Sequence, residues 1–348
     1  MRYVPYGPEL EGVPNIIVDG RGNEATVLAL SHWPRNRTPP ELKADSSTEI
    51  AINYLRSPER EAYRQGADAA SNNHFDVDGL MSLWAVLNPE AALQRADLLI
   101  ATGECGDFDR WSGEQATKIT CALYGLEMNP SSPIRKGLTG MRPDGRPSGR
   151  DYLERTAFLY RETLLLVPEL LDGVDGYEQY WRDTYAKVQA GRELFERGEA
   201  TVQEVPELDL AIFELPQVVH DMALYERTQC TRVALVIQEQ RYQVRYRYES
   251  WVEYQSRRQP PRIDLRPFAE FLMTFEGNAG DWVADDVQHT LPRLRLRGPE
   301  GGTSPSSLTP GLFLRLLANY LRDNASNEAL LWSPQTAESE YLAELPSD

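Results

Sequence analysis

The chain has 348 residues, 41% of them hydrophobic and 26% charged, a globular composition that excludes wholesale disorder. At about 150 residues per domain this is roughly two domains, large enough to bury a core without disulfides or a structural metal. A net charge of −17 repels phosphate polymers and argues against a coat for long duplex nucleic acid.

No apolar run reaches the roughly 18 residues of a membrane span. The N-terminal MRYVPYGPELEGVP lacks a basic-then-apolar leader, so a cytoplasmic protein is expected. Cys105, Cys121 and Cys230 form no CxxC pattern and, as an odd number, no disulfide framework.

In chain order, the continuous apolar runs Asn15–Val18 and Thr26–Leu30 read as strands buried on both faces. Helical stretches are expected at about 47–56, 80–87 and 90–102, the last stopping near Gly103. Residues 126–150, rich in Pro, Gly, Ser and Arg, read as a linker, with Arg135–Arg150 as a candidate lid. Residues 151–200 are strongly helical. Strands follow at 208–215, 232–238 and 242–254. Along the last, Tyr242, Val244, Tyr246 and Tyr248 alternate with polar residues. Helices at 264–275 and 307–323 and a frayed acidic end complete the chain.

The fold class is therefore α/β: a parallel sheet flanked by helices over 1–125, a linker and helical connector over 126–205, and a smaller α+β domain over 206–348.

The segment His74-Phe75-Asp76-Val77-Asp78-Gly79 carries the most chemistry. If 74–78 is extended, His74, Asp76 and Asp78 share one side and Phe75 and Val77 the other. One imidazole and two carboxylates then gather where Gly79 lets the backbone turn into a helix. Such an oxygen-rich set with some nitrogen suits Mn²⁺ or Mg²⁺, and packed carboxylates call for a cation or a raised pKa. The plain alternative makes Asp76 and Asp78 capping residues and His74 a surface histidine.

This segment, with Ser82 three residues on, resembles the first motif of the DHH phosphoesterases. That superfamily includes single-strand exonucleases, nanoRNases, cyclic-dinucleotide phosphodiesterases and pyrophosphatases. The resemblance implies a two-Mn²⁺ site on a parallel sheet, followed by a smaller substrate-binding domain. The family's later motifs precede this one here. Asn15–Gly20 resembles its lone-Asp strand end, with Asp19 as ligand; Leu30–Asn36 resembles its Asp-His-His strand end, with His32 as ligand; Asp45–Glu49 resembles its final Asp and Ser/Thr-rich helix start. The order is that of a circular permutation, tolerable because only the spatial gathering of ligands matters. Ser31 stands where the family has Asp, and Trp33 where it has the second His. The glycine-rich signature of the family's second domain is absent; Glu276–Gly280 is a distant echo. The chain also resembles an uncharacterised bacterial family marked by HFDVDG, a label that carries no activity.

Each position has a structural alternative: a turn at Asp19-Gly20, or a capping box at Ser46–Glu49. The turn at 103–110 offers Asp107 or Glu104 to the same site. Arg257, Arg258 and Arg262 read either as a phosphate-binding loop or as a solvated loop balancing acid.

The expected function is a metal-dependent phosphoesterase. Its substrate would be a small phosphorylated compound or short single-stranded oligonucleotide, hydrolysed by metal-activated water. His74, Asp76 and Asp78 would be catalytic, with Asp19, His32, Asp45 and Asp107 completing the metal shell. Two alternatives are a lapsed relative that binds a nucleotide or protein partner, and a metal hydrolase acting on amides.

Overall fold

The computed structural model describes residues 1–138, 149–298 and 301–335, so most of the basic run 135–150 and the acidic C-terminal end lie outside the described residues. Among the described residues the chain divides into two compact units, one of residues 1–186 with 254–257, the other of 187–253 with 258–335. The chain is α/β as expected, with a parallel sheet flanked by helices in the first unit and a mixed sheet with helices in the second. The segment 126–205 is shared between them.

The first unit is built on a four-stranded parallel sheet of β1 (Arg2–Tyr3), β2 (Asn15–Val18), β3 (Thr26–Leu30) and β4 (Ala69–Ser71), in the order β1-β4-β2-β3. Every residue of β2 is buried, which is why its sequence is a continuous rather than alternating run. Strand β4 is not announced by a local apolar run. Its Ala-Ala-Ser has little intrinsic β preference, and pairing with β2 decides its state.

Helices α1 (Ser47–Arg56) and α2 (Arg60–Arg64) lie between β3 and β4 in the chain, and α3 (Val77–Leu87), α4 (Pro89–Gln94) and α5 (Ala96–Asp107) follow β4. They are followed by α6 (Glu114–Met128), α7 (Pro133–Gly137), α8 (Gly149–Gly173) and α9 (Glu178–Glu196). The Ser46 hydroxyl caps α1 by accepting from the Glu49 amide at 3.2 Å. The stretch expected over 90–102 is two helices. Pro89 opens α4, where its missing N–H costs nothing, and α5 runs past Gly103 to Asp107.

The second unit centres on a six-stranded mixed sheet of β5 (Thr201–Val205), β6 (Leu210–Leu215), β7 (Arg232–Ile237), β8 (Arg241–Tyr246), β10 (Asp281–Ala284) and β11 (Arg293–Arg297), ordered β10-β11-β8-β7-β6-β5. It also holds α10 (Asp221–Tyr225), α11 (Arg266–Met273), α12 (Pro310–Asp323) and the short pair β9 (Arg262–Ile263) and β12 (Leu331–Trp332). Tyr242, Val244 and Tyr246 of β8 pack with Phe268, Phe313 and Leu317 of α11 and α12. The strand expected to reach 254 stops at Tyr246, and Tyr248–Ser250 forms a 3₁₀ turn.

Glu276 is a clasp rather than a glycine-loop ligand. It accepts from the amides of Gly277, Asn278 and Ser307, the Ser306 hydroxyl and the Trp282 indole, at 2.6–3.1 Å. Partial burial works against the charge, but these donors outweigh it and hold the carboxyl down at about 2. A depressed carboxyl stabilises the fold above its unfolded pKa, so the Glu276 contribution is present near neutrality. It fades as pH falls from about 4.5 toward about 2. Glu276→Gln is expected to cost about 1–2 kcal/mol at pH 7, and the gap in melting temperature from wild type should narrow below about pH 4.5 and close only as pH reaches about 2.

Among the described residues, no helix is long and apolar enough to cross a membrane. The three cysteines are buried and form no disulfide.

Candidate metal centre

Parallel strands bring their C-terminal ends to one edge, where an open α/β sheet places its ligand sites. At that edge Asp19 follows β2 in a left-handed conformation, φ 44°, with its amide bonded to the Leu30 carbonyl at 2.9 Å. Its Oδ1 accepts from the Ser47 hydroxyl at 2.8 Å, whereas Oδ2 is buried with no hydrogen-bond partner.

His32 lies just beyond β3. Its Nδ1 sits 2.6 Å from the Asp45 carbonyl oxygen. A carbonyl only accepts, so Nδ1 carries the hydrogen there. The arrangement is that of a metal-ligating histidine oriented by a backbone carbonyl, and it aims Nε2 inward. Nε2 is 3.4 Å from Asp19 Oδ1 and 3.2 Å from Asp107 Oδ2.

Asp76 caps α3, accepting from the Gly79 amide at 2.7 Å. Its other oxygen is 2.8 Å from His74 Nε2, which lies 3.3 Å from Asp19 Oδ2. The two-residue alternation expected over 74–78 does not hold, because α3 already begins at Val77. Asp78 sits instead in the first helical turn and turns toward α1. There it accepts from the Ser47 and Thr48 amides at 2.6 and 3.0 Å and from the Thr48 hydroxyl at 2.6 Å. These amides are among the orphan donors of a helix N-terminus, so Asp78 joins the starts of two helices.

The result is two groups of ligand-type atoms that share Asp19. One is Asp19, His32, Asp78 and Asp107; the other is Asp19, His74 and Asp76; within each the atoms lie within 4.8 Å of one another.

Four carboxylates and two imidazoles share one buried place. Burial raises the Asp107 carboxyl well above the usual range, and the Asp78 carboxylate adds to the shift. Burial, with Asp19, pushes Asp78 up to about 7 and raises Asp76. Burial alone would strip protons from His32 and His74. The carboxylates override it: Asp107 and Asp19 hold His32, and Asp76 and Asp19 hold His74, well above the usual imidazole value. Asp19 goes the other way, since the two imidazoles outweigh its burial and keep it ionised. Five of the six groups thus hold protons more tightly than usual, the response of carboxylates packed together in a buried place.

Glycines let the elements approach this closely. A Cβ on Gly103 would lie 2.3 Å from Asp78 Oδ1 and 2.6 Å from Thr48 Oγ1, and one on Gly79 would lie 2.4 Å from Asn72 Nδ2. Gly103 therefore admits α5 to the site instead of stopping it.

Six of the expected ligands meet: Asp19, His32, His74, Asp76, Asp78 and Asp107. Asp45 does not join them. Its carboxylate accepts from the amides of Gln255 and Ser256 at 2.7 and 2.8 Å, and only its backbone carbonyl serves the site, through His32. Glu104 pairs with Arg110.

Arg262 is not available to a phosphate. It is 1% exposed, and its guanidinium donates to the carbonyls of Val287, His289, Thr290 and Arg247 and to the Ser250 hydroxyl. Arg257 is half-buried and Arg258 exposed.

The Ser31 hydroxyl accepts from the Trp33 amide at 3.2 Å, forming a turn. The Trp33 ring lies 4.8 Å from that of His74, tilted by 38°. Sequence reasoning missed the supporting roles of Ser47, Thr48, Gly103 and Trp33. The one available signal was the capping box, which fixes α1's first turn and hence where its amides point.

Fold and site together describe an α/β protein with a buried Asp/His cluster at the C-terminal edge of a parallel sheet. Residues 1–330 match a family of unknown function, DUF6687, and the chain belongs to that family. No curated protein and no solved structure matches it.

Proposed function

We propose that the chain is a metal-dependent phosphoesterase on the DHH pattern with its motifs in permuted order. The two groups around Asp19 would hold two divalent ions, with Mn²⁺ favoured and Mg²⁺ the alternative. The observation that carries this reading is the pair of buried carboxylate oxygens, Asp19 Oδ2 and Asp107 Oδ2, that make no hydrogen bond and lie at 3.3 and 3.2 Å from the imidazole nitrogens of His74 and His32. Buried polar atoms are almost always satisfied, and a cation satisfies both. Four carboxylates and two imidazoles also suit hard ions that accept some nitrogen.

When bound, such ions supply Lewis acidity, polarising a phosphoryl oxygen and acidifying water near neutral pH. The chain's own residues do the positioning. The α1 amides and Thr48 hold Asp78; the Asp45 carbonyl sets the tautomer and orientation of His32; Asp76 holds the His74 ring, and that pair can take up a proton. The acidic surface suits a nucleotide, short oligonucleotide or other small ester over long duplex.

Hydrolysis of phosphoesters by purified protein with Mn²⁺, abolished by EDTA and restored by Mn²⁺, is the expected result. A panel from chromogenic esters to short oligonucleotides that shows no turnover, with the protein folded and metal bound, would favour the lapsed binding protein that Ser31 and Trp33 suggest.

A further inference from the structure

A cavity of about 650 Å³ lies in the first unit beside β3, within the roughly 300–1,000 Å³ of small-molecule sites. It is bounded by two loops, the one joining β2 to β3 and the one following β3. In a chain of net charge −17 its lining carries Arg21, Arg35 and Arg37 against the single acid Glu24. All three arginines are exposed, and Arg35 holds a left-handed backbone, φ 55°. Val27, Pro34 and Trp33 give the cavity an apolar wall.

Both loops are fastened to the metal-type cluster. Trp33 lines the cavity, and its ring lies against that of His74. The Arg21 amide donates to Asn73 Oδ1 at 3.1 Å, one residue before His74. The cavity therefore adjoins the His74 and Asp76 side of the cluster, with the Trp33 indole as the common wall.

We infer that this cavity recognises the part of the substrate that is not cleaved, and that this part is an anionic group on a flat apolar body. Guanidinium groups bind phosphate or carboxylate through forked, charge-assisted hydrogen bonds, while Trp33, Pro34 and Val27 remove a flat apolar group from water. The inference rests on the phosphoesterase reading and adds a demand to it: the substrate carries a second anionic group remote from the scissile ester.

The test is calorimetric titration of EDTA-treated protein with phenyl phosphate, inorganic phosphate and phenol, beside an Arg21→Ala/Arg37→Ala double variant. Wild type is expected to bind phenyl phosphate at least about tenfold more tightly than either fragment. The double variant, with an unchanged melting temperature, should lose about tenfold or more of that affinity. An Arg21→Lys/Arg37→Lys variant, which keeps charge but not the fork, should fall between them. Equal binding by wild type and the alanine variant, or no binding by wild type at millimolar ligand, overturns the inference. Metal content measured on the same protein before EDTA treatment separates the two ideas. Arginine-dependent binding by a protein that takes up no metal leaves the cavity standing and removes the phosphoesterase. Metal uptake without arginine-dependent binding does the reverse.

Discussion

An Asp19→Asn variant is expected to lose both metal ions and, with them, all metal-dependent turnover. Asp19 is the one residue common to the two ligand groups, so no other single substitution reaches both. The amide keeps the side chain's size and can still accept from the Ser47 hydroxyl, but it removes the charge that His32 and His74 face. Loss of an outer-shell partner typically costs 10–100-fold in metal affinity. A shared inner ligand should cost at least about 100-fold at each group, read by metal titration with a chelating indicator. Asp45→Asn is the contrast. Its carboxylate serves the Gln255 and Ser256 amides, and the carbonyl that orients His32 is unchanged, so its metal content should match wild type. Equal metal loss in both variants would mean that the Asp45 side chain, not Asp19 alone, belongs to the centre.

The second large effect is steric. Gly103→Ala places a methyl group 2.3 Å from Asp78 Oδ1 and 2.6 Å from Thr48 Oγ1. Both atoms are already committed to each other across a buried 2.6 Å hydrogen bond. Neither is the free end of a flexible side chain, so α5 must move away or the bond must break. Alanine is the better helix former and would stabilise α5 in isolation by about 1 kcal/mol. Overpacking should outweigh that, giving a net loss of about 3 kcal/mol and a fall of roughly 6–12 °C in melting temperature for a unit of this size. A Gly103→Ala protein as stable as wild type, with metal uptake intact, would contradict the packing described. Gly113→Ala is not a suitable control, because its φ of 95° strains any side chain; Gly173, with nothing within 4 Å of a Cβ, is.

Much of the first unit was legible because its signals are local. Asn15–Val18 and Thr26–Leu30 are bounded apolar runs, and Ser46 with Glu49 marks a helix start. The site was legible to the extent that chemistry concentrates in few residues. Two of the four histidines fall just after strands of the parallel sheet, and the structure brings both into one cluster.

What could not be read is three-dimensional. Alternation placed Asp78 beside His74 and Asp76, but an aspartate at 76 is also a helix cap, and that choice rotates Asp78 toward α1. Gly103 is written like a helix stop and is in fact a point of close approach, a distinction visible only once Thr48 and Asp78 stand opposite it. Arg262 sits in a run of exposed-looking arginines. Its burial follows from carbonyls supplied by residues 247 and 287–290, which no local pattern announces. Asp45 has the neighbours of a ligand, yet the amides of residues 255 and 256 claim its carboxylate. The arginine-lined cavity draws on two loops separated by β3, and no contiguous motif records it.

The reading stands or falls on whether the Asp19-centred cluster holds two ions. Elemental analysis of protein purified without chelator and dialysed against Mn²⁺, beside Asp19→Asn treated identically, tests it most directly. Two ions per chain are expected in wild type and none in the variant. Wild-type protein that is folded and holds no metal, or a variant that holds as much as wild type, would contradict it.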